Sequence, residues 1–129
     1  MCKASLDKWF SLYIRLRDAD DNGYITCYCC GKKVFWKAAQ NMHYIPRQHL
    51  SLRFSEVNCN AGCVHCNYYM NGNIEQYIIH LKKDHGEDIN ERLVLAKHQK
   101  TKISETEYKT LVAFYKKEVE QLKKQKGLS

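Results

Sequence analysis

Four cysteines in this 129-residue sequence are spaced as metal ligands. Cys27 and Cys30 form one Cys-x2-Cys pair, and Cys63 and Cys66 form a second pair. Such a pair places two sulfur atoms about 3.7 Å apart, which suits two vertices of a tetrahedral Zn²⁺ site. Two pairs complete the ligand shell and leave no vertex open for water. The sequence therefore predicts one structural zinc site, with four cysteine ligands, that stabilises a small domain.

Two further residues inside these pairs, Cys29 and His65, are alternative ligands, and the x2 spacing favours the outer cysteines over them. The sequence has seven cysteines, and its first residues lack the apolar segment of a secretory leader. An odd cysteine count in a chain without a leader is typical of reduced thiols in the cytosol. We therefore expect a cytoplasmic protein whose cysteines bind metal, with Cys2 and Cys59 as spare thiols.

Between and after the cysteine pairs lie three polar residues suited to phosphodiester chemistry, namely His43, Asn58 and Asn67. A histidine with a pKa of about 6.5 can accept a proton at neutral pH. An amide oxygen is a hard ligand that suits Mg²⁺ or Mn²⁺ better than Zn²⁺. The alternative interpretation of His43 is a partly buried side chain that forms a hydrogen bond across a hairpin.

The net charge of +7 is concentrated near the C-terminus, where nine lysines and four glutamates lie between Lys97 and Lys126. A basic surface favours a polyanionic partner such as nucleic acid, and the alternative is a solvated helix face. We predict DNA contacts from four residues, of which the arginines can bind phosphate in a bidentate manner. These residues are Arg47, Arg53, Lys32 and Lys33. No apolar run of about eighteen residues is present, so we expect no membrane association.

The apolar periodicity predicts a single α+β domain over residues 1–129. It comprises an N-terminal helix over 5–18, a zinc-bound core over 24–72 and C-terminal helices over 73–126. Ser104 and Glu107 have the spacing of a capping box at the start of the last helix. The apolar stripe of that helix is interpreted as core or as a dimer seam, and it contains Tyr108, Leu111, Tyr115, Val119 and Leu122.

The order of these motifs is Cys-x2-Cys, His-x-Ile-Pro and Asn-x4-Cys-x2-Cys-Asn, and it resembles the HNH branch of the His-metal finger nucleases. More narrowly, the chain is similar to the NinG/Rap recombination endonucleases of lambda-like phages. The resemblance covers roughly Leu6 to Tyr115. The features that carry the narrower match are Cys30-Gly31-Lys32, Trp36, Leu52-Arg53-Phe54, Cys63-Val64-His65-Cys66-Asn67 and Gly72-Asn73.

This resemblance implies a treble-clef-like ββα-metal core in which a β-hairpin and a helix hold one divalent ion against a phosphate. His43 matches the base that activates water, and Asn58 matches the residue that pins the loop bearing the base. Asn67 matches the position on the helix that binds the catalytic Mg²⁺ or Mn²⁺. Many relatives have a second metal ligand immediately before the base, where this chain has Met42. Asn71 is the residue that would supply another oxygen if the helix extended that far. The alternative is that His43 itself binds the metal and another group serves as the base.

The implied function is a metal-dependent, structure-selective DNA endonuclease that acts on branched recombination intermediates such as Holliday junctions and D-loops. The expected location is then the bacterial host cell, and a symmetric junction favours a homodimer because two strands are cut. Two alternatives remain open. One is a non-catalytic zinc module that binds DNA through a degenerate nuclease site, and the other is a zinc finger that binds protein.

Overall fold

The computed structural model describes residues 2–129. The first half of the chain contains two helices and four short strands, and three further helices follow a π-helical turn. In chain order the elements are α1 (Cys2–Asp18), β1 (Tyr24–Thr26), β2 (Lys33–Phe35), β3 (Gln40–His43), α2 (Leu50–Arg53), β4 (Cys59–Gly62), one π-helical turn (His65–Tyr69), α3 (Ile74–His85), α4 (Ile89–Lys97) and α5 (Glu105–Lys126). The predicted combination of helices with small sheets is confirmed.

The strands form two antiparallel pairs, β1 with β2 and β3 with β4. In the second pair His43 lies opposite Cys59, and Asn41 lies opposite Ala61. Because side chains alternate along a strand, Asn41 and His43 share one face of the β3–β4 hairpin and Met42 occupies the other. The hairpin therefore separates the polar side chains from a fully buried methionine.

A first core forms where α1 packs on α5, and it also covers the Asn41 and His43 face of the hairpin. Phe10 and Tyr115 meet edge to face at 5.0 Å between ring centroids. The buried members of this core include Leu6, Phe10, Ile14, Leu16, Cys59, Ala61, Tyr108, Tyr115 and Val119. The apolar stripe of α5 packs within the chain, which agrees with its interpretation as core.

A second core lies on the Met42 face, where α3 and α4 pack beside the cysteine pairs. Its buried members include Cys27, Met42, Leu52, Cys63, Cys66, Tyr77, Leu81, Ile89 and Leu93. A β-carbon at position 62 would collide with the Met42 side chain, so Gly62 leaves room for that side chain to pack over β4. The hairpin is held between two cores, which fixes the positions of residues on both of its faces.

Helix boundaries agree with the sequence pattern where a local signal exists. The Ser104 side chain accepts a hydrogen bond from the Glu107 backbone, and the Glu107 carboxylate accepts one from the Ser104 backbone, so the predicted capping box is confirmed. α1 begins at Cys2, three residues before the predicted start. Over residues 2–129, no helix combines the length and the apolar character that crossing a bilayer requires.

Candidate metal centre and adjacent cleft

The four predicted zinc ligands converge on one point. The sulfur atoms of Cys27, Cys30, Cys63 and Cys66 all lie within 4.8 Å of one another, and the sulfur atoms of Cys30 and Cys63 are 3.7 Å apart. This separation is the one expected for two sulfurs on a tetrahedral zinc ion. Cys27 follows β1 and Cys63 follows β4, so a metal here ties the two strand pairs together. The cluster fits a structural metal such as zinc.

Backbone groups prepare one of these thiols for ionisation. Burial disfavours the Cys27 thiolate, but backbone N–H groups of Cys30, Cys63 and Cys29 outweigh burial and lower the pKa of Cys27 to about 7. The Cys66 N–H also points at the Cys63 sulfur at 3.4 Å. Since a zinc ligand must be a thiolate, these donors prepare Cys27 for metal binding, whereas burial raises the pKa of Cys30 and of Cys66, so the ion itself must displace those two protons.

The two alternative ligands lie outside the cluster. The Cys29 thiol donates a hydrogen bond to the Gly72 carbonyl at 3.6 Å. Burial and the neighbouring cysteines raise the pKa of Cys29 to about 12, so it stays a neutral thiol. His65 is exposed to solvent and does not belong to the cluster. The choice of Cys27 with Cys30 agrees with this geometry.

A cleft of about 490 Å³ opens beside the hairpin, and we call it the His43 cleft. Its walls come from the end of β3, the loop that follows β3, and the segment after the second cysteine pair. The lining residues are Asn41, His43, Tyr44, Ile45, Pro46, Arg47, Asn67, Asn71, Gly72 and Ile74. A second cleft of about 320 Å³ shares Asn41, His43, Arg47 and Asn67 with the first and extends towards α1. Together they form a continuous groove past His43.

His43 is held in one tautomer by the backbone. Its Nε2 atom lies 2.9 Å from the Arg53 carbonyl oxygen, which can only accept a hydrogen bond. Nε2 therefore carries the proton, and Nδ1 of the neutral ring carries a free lone pair. Burial lowers the pKa of His43 from 6.5, and the charges of Arg47 and Arg53 lower it further against the opposing effect of the Arg53 carbonyl. The ring is therefore neutral at pH 7.

Asn58 connects both ends of the loop that follows His43. Its Oδ1 accepts a hydrogen bond from Ile45 N at 2.8 Å. Its Nδ2 donates to the carbonyl oxygens of Ile45 at 3.0 Å and Leu52 at 3.2 Å. The side chain is fully buried, so all three bonds are shielded from water. These bonds fix the segment from which Arg53 reaches His43.

Asn67 is positioned by the second cysteine pair and by β3. Its backbone N–H donates to the Cys63 carbonyl at 3.0 Å, which links it to the metal centre. Its Nδ2 donates to Gln40 Oε1 at 2.7 Å. This hydrogen bond fixes the orientation of the amide, whose carbonyl oxygen is on the opposite arm from Nδ2. The residue lines both clefts together with His43.

Asn41 was not among the predicted site residues. Its Oδ1 is one of two buried side-chain acceptors that lack a hydrogen-bond partner within residues 2–129, the other being Ser51 Oγ. A buried carbonyl oxygen without a donor costs about 1–3 kcal/mol, which a ligand or a cation can offset. Asn41 lines both clefts beside His43 and Asn67. The signal that indicates it is strand periodicity, because residues two apart share a face.

Asn71 also lines the His43 cleft, although the helix does not extend to it. The π-helical turn ends at Tyr69, and Asn71 adopts a left-handed conformation with φ of +49°. The condition for Asn71 to act as a ligand, a helix that extends to it, is therefore not met, because the chain turns sharply here before α3. Its side chain is placed at the rim of the cleft by this turn.

The two predicted arginines differ in environment. Arg53 is 9% exposed, and its Nε donates to Asp7 Oδ1 at 2.9 Å, which ties the loop to α1. Its guanidinium is held in an internal ion pair with Asp7 and lines the second cleft, so the DNA contact of Arg53 stays a prediction that this ion pair opposes. Arg47 lines both clefts, and its side chain is 66% exposed.

The predicted lysine contacts lie away from the groove. Lys32 and Lys33 are exposed next to the first cysteine pair and line neither cleft. Lys33 Nζ donates to Thr26 Oγ1 at 2.7 Å across the β1–β2 pair. Among the predicted basic residues, Arg47 is the one with an exposed charge at the His43 cleft.

Comparison with known protein families matches residues 2–125 to the family described as bacteriophage lambda NinG protein. The chain belongs to the NinG family. The match covers the cysteine cluster, the His43 cleft and all five helices almost to the end of α5. Comparisons with curated proteins and with solved structures find no match for this NinG-family chain.

Proposed function

We propose that this NinG-family chain is a metal-dependent DNA endonuclease of the His-metal finger type that cuts branched recombination intermediates. The observation that supports this proposal is the convergence of His43, Asn67 and Asn41 in one groove. These side chains offer a neutral imidazole, an oriented amide and an unpaired buried carbonyl oxygen. Metal-assisted hydrolysis of a phosphodiester uses a general base that lies beside hard oxygen ligands for the ion.

In the proposed reaction His43 is the general base. Its Nδ1 accepts a proton from a water molecule while the water oxygen forms a bond to phosphorus. The bond from phosphorus to the leaving sugar oxygen breaks, and that oxygen takes a proton from solvent. The Arg53 carbonyl accepts a hydrogen bond from Nε2 and so stabilises the imidazolium that forms. Asn58 acts as a positioning residue, because its three hydrogen bonds hold the loop that carries this carbonyl.

The donor set of the cleft fits Mg²⁺ or Mn²⁺. Asn41 Oδ1 is a buried carbonyl oxygen that lacks a donor, and amide oxygens are ligands of the kind that these ions prefer. Asn67 and Asn41 would hold the ion, which supplies positive charge to stabilise the leaving oxygen. Met42 cannot take the ligand role found before the base in many relatives, since it is 0% exposed on the other face of the hairpin. In this proposal Asn41, which shares a face of the hairpin with His43, takes the place of that missing ligand.

Arg47 is the proposed phosphate contact. Its exposed guanidinium lies at the groove and can bind a phosphate in a bidentate manner. Phosphate contacts position a protein without reading bases, so this arrangement favours recognition of DNA shape over sequence. Selectivity for junctions or D-loops rests on the resemblance to the NinG/Rap endonucleases.

The test is a nicking assay on a labelled four-way junction and on a linear duplex of matched sequence. The proposal predicts Mg²⁺- or Mn²⁺-dependent cutting of the junction that EDTA abolishes. His43→Ala should retain its zinc and its fold and lose about 10²-fold to 10⁴-fold in rate, as expected for removal of a general base. His49→Ala is the matched control, because His49 is a loop histidine that does not line the cleft.

The pH profile of the same reaction is a second readout. Because burial and two arginines lower the pKa of His43, the base stays neutral down to a pH below 6.5. Cutting should therefore be constant through neutral pH and fall about tenfold per pH unit once His43 is protonated. A wild-type protein that binds DNA but never cuts with any divalent metal would replace this proposal with the non-catalytic zinc module.

A further inference from the structure

Two tyrosines project into solvent from the turn that carries Asn67. The side chains of Tyr68 and Tyr69 are 71% and 70% exposed. Their rings meet at 86° with 5.0 Å between centroids, and Tyr69 also lies 6.2 Å from the His65 ring. Met70 continues this surface at 45% exposure. We call Tyr68, Tyr69 and Met70 the aromatic rim. A contiguous apolar surface of this kind is typical of a binding site.

The aromatic rim borders the groove that contains His43. Asn67 precedes Tyr68 directly in sequence and lines both clefts. Asn71 and Gly72 follow Met70 directly and line the His43 cleft. The rim is thus flanked in sequence by cleft residues on both sides, which places the two tyrosines beside the cleft wall along the chain.

The charge of this region suits a nucleic acid. No aspartate or glutamate occurs between Glu56 and Glu75, which is the stretch that contains the second cysteine pair and the rim. Arg47 brings an exposed positive charge to the same cleft. The Asp7 carboxylate pairs with Arg53 and also lies 3.7 Å from Arg47 Nη2, so two positive charges surround one negative charge. The segment that carries the rim therefore contributes no carboxylate that would repel a polyanion.

The exposed ring faces of the rim are suited to stacking with unpaired bases and not with paired ones. Two rings at right angles present flat faces on which bases can stack. In a duplex the base faces are already stacked on their neighbours, whereas bases at a branch, a flap or a single strand are free. We propose that Tyr68 and Tyr69 stack with unpaired bases beside the scissile phosphate and thereby select DNA that contains single-stranded nucleotides.

This inference rests on the proposed function of the cleft, and it can be tested without cutting. Zinc-loaded His43→Ala protein, in buffer without Mg²⁺ or Mn²⁺, would be titrated into fluorescein-labelled single-stranded DNA and into a duplex of the same sequence. Tyr68→Ala combined with Tyr69→Ala should weaken single-strand binding about tenfold or more and leave duplex binding within about twofold. The matched control is Tyr68→Phe with Tyr69→Phe, which keeps both ring faces and should bind as the parent does.

Three results would overturn the proposal. They are an equal loss on both substrates, no loss on either, and a loss in the phenylalanine control that equals the loss in the alanine variant. Zinc content and the circular dichroism spectrum of each variant establish that the fold is retained. Leu95→Ala, which truncates a side chain 72% exposed on α4, controls for general loss of apolar surface. Binding is measured without the catalytic ion. A wild-type protein that never cuts would therefore refute the endonuclease proposal, and the DNA-binding data would still test whether the tyrosines stack with bases.

Discussion

The two faces of the β3–β4 hairpin differ in how fully their polar groups are satisfied. On the Met42 face the Tyr77 hydroxyl donates to the Met42 carbonyl at 2.8 Å, and Asn60 Nδ2 donates to the same hydroxyl at 3.2 Å. On the opposite face Asn41 Oδ1 is buried without a donor. The first face adjoins a cysteine cluster that can fill a complete tetrahedral shell. The second adjoins an open groove.

This difference separates the part of the molecule that holds the fold from the part suited to bind. Buried polar groups in folded proteins nearly always have partners, and an exception calls for an explanation such as a ligand or strain. A closed thiolate site contributes binding energy directly to folding. An open site with an unpaired oxygen costs stability until something occupies it. The hairpin therefore links a cysteine cluster suited to a structural metal to a groove in which one buried polar atom, Asn41 Oδ1, lacks a partner.

The largest effect that this comparison predicts is loss of the metal centre. Cys63→Ser removes one of four thiolates and should abolish stoichiometric zinc and the cooperative fold, since zinc contributes about 10–16 kcal/mol in small zinc domains. Zinc content by mass spectrometry and urea unfolding by circular dichroism measure the effect. The expected result is one zinc per wild-type chain and less than stoichiometric zinc, with a broad unfolding transition, in the variant.

Cys29→Ser is the matched control for this prediction. It makes the same chemical change within the first cysteine pair, but the Cys29 thiol donates to the Gly72 carbonyl and lies outside the cluster. A serine hydroxyl can donate the same hydrogen bond. This variant should keep one zinc per chain. Equal zinc loss in Cys29→Ser and Cys63→Ser would contradict the assignment of ligands.

The next effect concerns the loop that connects the two faces. Asn58→Ala removes three buried hydrogen bonds and leaves Ile45 N and Ile45 O without partners, whereas Leu52 O keeps the bond from the Ser55 N–H. Each lost bond costs about 1–3 kcal/mol when the remaining group stays buried, so we expect a loss of about 3 kcal/mol or more in the free energy of unfolding. Urea unfolding of the zinc-loaded protein is the measurement.

Asn90→Ala provides the comparison, because it removes one side-chain hydrogen bond, from the Tyr44 hydroxyl at 2.6 Å. A loss of about 1 kcal/mol is expected there. If Asn58→Ala were no more destabilising than Asn90→Ala, then the loop beside His43 would not depend on Asn58. In that case its proposed positioning role would fail.

The metal centre was predictable from sequence because its geometry is local. The turn in a Cys-x2-Cys pair sets the distance between its two sulfur atoms independently of the rest of the fold. Two such pairs therefore indicate four ligands. The capping box at Ser104 is local in the same sense and was also predicted correctly. The helical patterns located α1 and α5 for this reason, whereas α2 and β4, which follow His43, had no clear periodic signal.

The groove was less predictable because its properties depend on distant partners. Arg53 resembled a phosphate ligand in sequence, but Asp7 lies 46 residues away and no local pattern pairs the two. The unpaired state of Asn41 Oδ1 is a result of tertiary packing, so residue type alone could not reveal it. The alternation of side chains along a strand does indicate, from sequence alone, that Asn41 lies on the same face as His43.

The smallest predicted effect tests whether the unpaired oxygen on the groove face serves a purpose. Asn41→Ala removes a buried acceptor that lacks a donor, so the metal-free groove should lose no stability and can gain up to about 1–3 kcal/mol. The same change should weaken Mn²⁺ binding to the zinc-loaded protein about tenfold, measured by electron paramagnetic resonance or calorimetry. A substitution that retains or raises stability and lowers metal affinity is characteristic of a functional group and not of a packing group.

Ser51→Ala is the control that separates the removal of an unsatisfied buried atom from the loss of a metal ligand. Ser51 Oγ is the other buried side-chain acceptor without a partner in residues 2–129, and Ser51 lines neither cleft. Both alanine variants should behave alike in urea unfolding, because each removes an unsatisfied group. Only Asn41→Ala should change Mn²⁺ affinity. Unchanged Mn²⁺ binding in Asn41→Ala would mean that its oxygen is a packing defect, and the ion would then have to be held without it.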